Sequence, residues 1–108
     1  MTKKEAIHCL SNGHAEWTVT YAREICKAFG LELPKGLIQT WEGQADVNPS
    51  GNPKGLWLDE DKAGSGVNSL SLSIYIVDKL GLEVQSYIGR GFQAQANAEA
   101  VKEYCEGK

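Results

Sequence analysis

Polar and apolar residues alternate without a break over residues 69–76. Serine or tyrosine occupies every odd position, and the apolar residues between and after them are Leu70, Leu72, Ile74 and Ile76. Because successive side chains of a strand point to opposite faces, this pattern predicts a strand that buries the four aliphatic residues. Residues 78–81 have the composition of a tight turn, and apolar positions restart at Leu82 and Val84. We therefore predict a β-hairpin over residues 69–88, with the rest of the chain packed on its apolar face.

A helix that ends at Gly81 is the alternative for the same stretch. Four apolar residues fall at helical spacing, namely Val67, Leu70, Ile74 and Val77. Serine competes for backbone hydrogen bonds, and the β-branched residues of the second half lose side-chain freedom in a helix. These two effects favour the hairpin over the helix.

Two helices are predicted in the N-terminal third. Thr2 and Glu5 have the spacing of a capping box, which predicts a first helix over residues 3–11. A second helix is predicted from near His14 to Gly30 and Pro34, with an apolar stripe at Trp17, Tyr21, Ile25 and Phe29. Trp17 is assigned to the core on this basis. The short link between the helices predicts a helical hairpin.

The middle of the chain is rich in glycine and proline. Short strands are predicted at residues 36–41 and 55–58, and a loop of turn-forming residues separates them. Trp41 and Trp57 flank this loop, where tryptophans can stack on a ligand or contact a partner. The competing interpretation is that both side chains cover the open end of the sheet.

A last helix is predicted to end at Gly107, and it starts either directly after Gly91 or at Asn97. Residues 92–96 also fit a strand that continues past a glycine bulge. The element order predicts one α+β domain over residues 1–108. In it, the N-terminal helical hairpin and the C-terminal helix pack on a small, mainly antiparallel sheet.

The charge balance argues against general nucleic-acid binding. Eleven basic and fourteen acidic residues give a net charge of −3, and no basic run is longer than Lys3-Lys4. The three cysteines form no CxxC motif, which favours free thiols in a reducing compartment. No apolar run is long enough for a signal peptide or a membrane span. We therefore expect a cytoplasmic protein without a membrane partner.

Gly89-Arg90-Gly91 begins a G-x-G-x-x-A motif, in which glycines let a backbone approach a phosphate. The βαβ unit of a dinucleotide-binding fold is missing around it. The sequence therefore predicts at most a local site for one phosphate or carboxylate, formed by the two glycines and Arg90. The alternative is a turn or bulge with a solvated arginine.

Neither metal nor cofactor binding is predicted. Asp59, Glu60 and Asp61 form an acidic patch that suits a basic partner, but Leu70 occupies the position where a calcium loop requires glutamate. The spacing of His8, Cys9, His14 and Cys26 matches no standard zinc pairing, and no third group marks a Cys–His nucleophile.

These features favour a small acidic binding or regulatory protein that acts through protein–protein contacts, such as an inhibitor or a phage-type accessory protein. A homodimer fits a core of this size. The alternative is a binding protein for a nucleotide or another anion, with the phosphate on residues 89–91 and a base on Trp41 or Trp57. An enzyme that uses cysteine or histidine is the third hypothesis, because no catalytic signature is present.

Overall fold

The chain folds as helices packed around a small antiparallel sheet. The structure, a computed structural model, describes residues 1–40 and 65–107. The helices in these ranges are α1 (Lys3–Leu10), α2 (Val19–Lys27), α3 (Ser69–Lys79) and α4 (Arg90–Glu106), and the strands are β1 (Glu16–Trp17), β2 (Ile38–Thr40) and β3 (Ser65–Asn68). The predicted α+β class, with helices on a small antiparallel sheet, is confirmed.

The sheet is built on β3, which pairs antiparallel with β1 on one side and with β2 on the other. Val67 stands opposite Trp17 in one ladder and opposite Ile38 in the other, and it is fully buried. The strand predicted at residues 36–41 is confirmed at Ile38–Thr40, directly after a 3₁₀ turn at Lys35–Leu37. The strand predicted at residues 55–58 lies outside the described residues.

The predicted hairpin over residues 69–88 is wrong, because its first strand is helix α3. The buried positions of α3 follow a three- and four-residue spacing and are Ser69, Leu72, Ser73, Ile76 and Val77. Two serines thus lie on the buried face, where a strand would have placed them in solvent. Their hydroxyl groups are satisfied there, since Ser69 Oγ accepts from the Ala15 amide at 3.0 Å and Ser73 Oγ donates to the Leu70 carbonyl at 2.9 Å.

Gly81 ends α3 instead of turning a hairpin. Its φ of +78° is the left-handed conformation that glycine adopts without strain. The Leu82 amide donates to the Val77 carbonyl at 3.0 Å, which closes the helix end. Residues 82–88 then run without forming a strand, although Leu82 and Val84 still pack on the core. The second half of the predicted hairpin is therefore also wrong.

Helix α1 confirms the predicted capping box. The Glu5 amide donates to Thr2 Oγ1 and the Thr2 amide donates to Glu5 Oε1, both at 3.1 Å. These hydrogen bonds, with the one from the Thr2 backbone first, hold the pKa of Glu5 below its ordinary value. The helix ends at Leu10 with Ser11 as its C-terminal cap, one residue before the predicted end.

Helix α2 begins later than the predicted start near His14. Thr18 caps it by accepting the Tyr21 amide at 3.1 Å, so the helix starts at Val19. Trp17 belongs to β1 because pairing with β3 competes with the helix for its backbone. Its ring packs on Tyr21 with centroids 5.0 Å apart, and the residue is half-buried against the core as predicted, although from a strand and not from a helical stripe. The helix ends before Gly30 as predicted, and β1 interrupts the helical hairpin.

Helix α4 starts at Arg90, which confirms the earlier of its two predicted starts. The later start at Asn97 and the strand over residues 92–96 are both wrong. Alanine is frequent over residues 94–100, and its high helix propensity favours one continuous helix. Asn97 is instead fully buried within α4, where its Oδ1 accepts the Gln85 amide at 2.8 Å.

The core lies where α4 packs on α1 and α3, with α2 placed against β3. Its fully buried large side chains include Leu10, Ile25, Val67, Leu72, Ile76, Val77 and Val101. Small residues occupy the buried faces of both α3 and α4, which lets these two helices approach closely. The N-terminal end of α4 is thereby fixed to the rest of the fold.

The two buried serines of α3 are expected to respond differently to replacement by alanine. Ser69→Ala leaves the Ala15 amide without its acceptor, so the free energy of unfolding should fall by about 1–3 kcal/mol. Ser73→Ala should change it by less than about 0.5 kcal/mol, because the Leu70 carbonyl can still accept within the helix. Urea unfolding measures both values. Equal losses would contradict the different roles assigned to the two hydroxyl groups.

Candidate functional site

Three large apolar side chains are exposed together where the chain enters α4. Tyr87 is 56%, Ile88 99% and Phe92 69% exposed. We call Tyr87, Ile88 and Phe92 the exposed apolar surface. Single exposed hydrophobic residues are ordinary on proteins, whereas a cluster with two aromatic rings marks an interaction site.

The backbone holds this surface in a defined arrangement. Gly89 has a φ of +99°, so the chain turns sharply between Ile88 and the first turn of α4. A side chain at Gly89 would lie 3.3 Å from Phe92 Cδ2, which shows that the phenyl ring lies beside this turn. On the other side, the bond from the Gln85 amide to Asn97 ties the approaching segment to α4. The apolar side chains are therefore presented by anchored backbone.

An open depression of about 720 Å³ lies at this surface. Its lining combines the three apolar side chains with small and polar neighbours, which are Ser86, Gln95 and Ala96. An apolar floor with a few polar groups at its edge is the usual composition of a protein-binding surface.

The predicted anion site lies at the same helix end. The N-cap of α4 is Gly89, so no side chain caps the first amide groups of this helix. Arg90 is exposed, and within the described residues it forms no ion pair. The His14 imidazole lies close by, because a side chain at Gly91 would be 3.4 Å from its Nε2. The structure thus brings Gly89, Arg90 and Gly91 together with a histidine that the sequence analysis placed elsewhere.

Gly13 places His14 at this end of α4. A side chain at Gly13 would clash with the Arg90 carbonyl oxygen, so only glycine lets the two segments approach this closely. The Asn12 side chain then accepts the His14 amide at 2.9 Å and turns the chain toward β1. The loop before β1 therefore contacts the first turn of α4.

Several predicted site residues lie outside the described part of the chain. They are Trp41 and Trp57, predicted to stack on a ligand or contact a partner, and the acidic patch Asp59, Glu60 and Asp61. Their roles remain predictions.

The histidines and cysteines considered for zinc do not come together. Among the described residues, no group of three or more His, Cys, Asp or Glu side chains is arranged to hold a metal. Cys26 is fully buried in the core, and burial raises the pKa of its thiol to about 11. Cys9 contacts the Tyr21 hydroxyl at 3.3 Å, and this hydrogen bond, together with burial, raises the pKa of Tyr21 to about 12.

Alkaline pH is expected to destabilise the protein through these two groups. The unfolded chain ionises the thiol near its ordinary pKa of 9.0 and the phenol near 10.0, whereas the folded protein keeps both protonated. Because the unfolded state then binds fewer protons, the free energy of unfolding falls as the pH rises from about 9 to about 12. Urea midpoints across this range measure the decline.

Cys26→Ala is the matched variant for the lower part of this range. It should flatten the decline mainly between about pH 9 and about pH 10, where the thiol of the unfolded chain ionises and the Tyr21 phenol is still protonated in both states. A slope equal to that of the unmodified protein would contradict the role of Cys26.

The exposed apolar surface was missed by the sequence analysis. The sequence predicts Ile88 at the end of a hairpin and Phe92 in a helix or strand, and it predicts exposure for neither residue. The available signal was local: aliphatic and aromatic residues directly flank the Gly89-Arg90-Gly91 segment, where the chain must turn.

Comparisons of the chain with protein-family models, curated proteins and solved structures find no match. In the described ranges, no helix combines the length and apolar character that a membrane crossing requires.

Proposed function

We propose that this protein acts by binding another protein through its exposed apolar surface. The observation that carries the proposal is the Ile88 side chain, which is 99% exposed between two exposed aromatic residues. Aromatic and aliphatic anchors of this kind supply most of the binding free energy at protein interfaces. Their exposure is unfavourable in the isolated chain and is relieved when a partner covers them.

The anchored backbone supports this proposal. Ile88 and Phe92 lie on either side of Gly89, whose conformation and helical neighbours fix their relative placement. Little of this segment then has to become ordered when a partner binds, which reduces the entropic cost of association. Binding, inhibition and regulation are all compatible with such a surface.

The charges beside the exposed apolar surface indicate which charged groups a partner has at the edge of the contact. Arg90 and the uncapped N-terminal end of α4 are both positive and lie beside the apolar side chains. A partner with an apolar patch bordered by carboxylates complements this arrangement.

Replacing Ile88 by glutamate is expected to abolish partner binding without loss of stability. The side chain has almost no contacts to lose, so the melting temperature should stay near that of the unmodified protein. Gln39→Glu is the matched control, because it adds the same charge at an exposed position of β2. Affinity capture from the native host with mass spectrometry and sedimentation analysis of the purified proteins measure binding.

A protein or second copy retained by the unmodified chain and by Gln39→Glu, but lost from Ile88→Glu, supports the proposal. The same bound proteins and the same oligomeric state in all three samples would exclude the exposed apolar surface as the binding site.

The second candidate function is binding of a phosphate or another small anion at residues 89–91. It is supported by the absence of a side-chain cap on α4 and by His14 beside Gly91. Inorganic phosphate is then expected to shift the amide resonances of Gly89, Arg90 and Gly91, and Arg90→Ala should weaken binding by about tenfold. Unchanged spectra at high phosphate would rule this function out, and Lys35→Ala is the control for loss of a remote positive charge.

A further inference from the structure

A second surface lies at the opposite end of α4, where this helix meets the first turns of α1. A groove of about 360 Å³ runs between the two helices. Its lining comes from both ends of the chain and consists of Lys3, Lys4, Ile7, Lys102, Cys105 and Glu106. We call this the lysine groove.

The lysine groove collects positive charge on an acidic protein. All three lysines are exposed, and none forms an ion pair with a residue in the described ranges. Glu106 is the acidic residue in the lining, so the groove carries an excess of positive charge although the whole chain has a net charge of −3. Like charges held together raise the free energy of the unoccupied surface, and an anionic occupant lowers it.

The groove also has an apolar floor. Ile7 and Cys105 are half-buried and pack against the core cluster, and the part of each that stays accessible lines the groove. The volume accommodates one or two side chains. An occupant that matches both features carries carboxylates on either side of an apolar residue.

We propose that the lysine groove binds a short acidic segment of a partner protein. Carboxylates of the segment pair with Lys3, Lys4 and Lys102, and an apolar side chain between them covers Ile7 and Cys105. A nucleic acid is disfavoured as the occupant, because its charged backbone offers no apolar side chain to cover Ile7 and Cys105.

The lysine groove is separate from the exposed apolar surface. Phe92 and Cys105 lie thirteen positions apart on α4, which corresponds to about 20 Å along a helix. Both surfaces are therefore accessible at the same time, and the proposal for the lysine groove does not depend on the function proposed for the other end of α4.

A capped peptide with the sequence Glu-Asp-Leu-Asp-Glu is the probe for this proposal. Titrated into the isotope-labelled full chain, it is expected to shift the amide resonances of Ile7, Lys102 and Cys105. Lys3→Glu combined with Lys102→Glu should weaken binding by at least about tenfold, because attraction becomes repulsion on both sides of the groove. Lys35→Glu combined with Lys79→Glu is the matched control, with the same charge change at exposed sites elsewhere.

Two further probes separate the occupants. A peptide with glycine in place of the central leucine should bind several-fold more weakly, and a single-stranded oligonucleotide of equal charge should not displace the leucine peptide. The proposal is overturned if the peptide causes no shifts, if both double variants bind it equally, or if the oligonucleotide competes for the groove. Ile88→Glu should leave peptide binding unchanged, which distinguishes failure here from failure of the proposed function.

Discussion

The junction between β3 and α3 is the constraint on which the rest of the structure depends. Asn68 ends the central strand and caps the helix, since its Oδ1 accepts the Ser71 amide while its Nδ2 donates to Glu16. The next residue, Ser69, exchanges two hydrogen bonds with Ala15, one from its amide and one to its hydroxyl. Asn68 and Ser69 therefore fix α3 to the sheet, and they also hold β1 against β3 and α3. Because β1 is fixed, the loop before it is also held in place, and Gly13 lets that loop contact the first turn of α4.

Local signals in the sequence located the start of α1 and the end of α2, whereas the element with the most regular pattern was assigned wrongly. The capping box at Thr2 and the glycine at position 30 act within a few residues, so pattern alone predicts them. Gly81 adopts a positive φ in a hairpin turn and at a helix end alike, and it therefore could not distinguish the two structures. The prediction failed on the serines, which were taken as solvent-facing. In α3 their hydroxyl groups find partners in the interior, and their small size suits close packing with α4.

The sequence drew attention to residues 89–91 but not to the exposed apolar side chains beside them. The Gly89-Arg90-Gly91 segment indicated a special backbone, and the structure places it at the start of the longest described helix. Exposure of Ile88 and Phe92 was not predictable from their residue types, because it depends on which elements pack beside them. Because residues 69–79 form α3, they do not supply the paired strand that the predicted hairpin placed beside residues 87 and 88. The wrong prediction for this segment therefore also concealed the exposure of Ile88.

The short strands at the two sides of the sheet have a consequence for behaviour at high concentration. β1 offers two residues and β2 three, so each described border presents only a few backbone groups to an incoming chain. Such borders are poor templates for strand addition and hence for fibril growth. With long strands at these borders, a chain that also has exposed apolar side chains near α4 would be prone to aggregate. Among the described residues, the three most exposed large apolar side chains, Tyr87, Ile88 and Phe92, lie instead at a helix end, which offers no strand backbone for such growth.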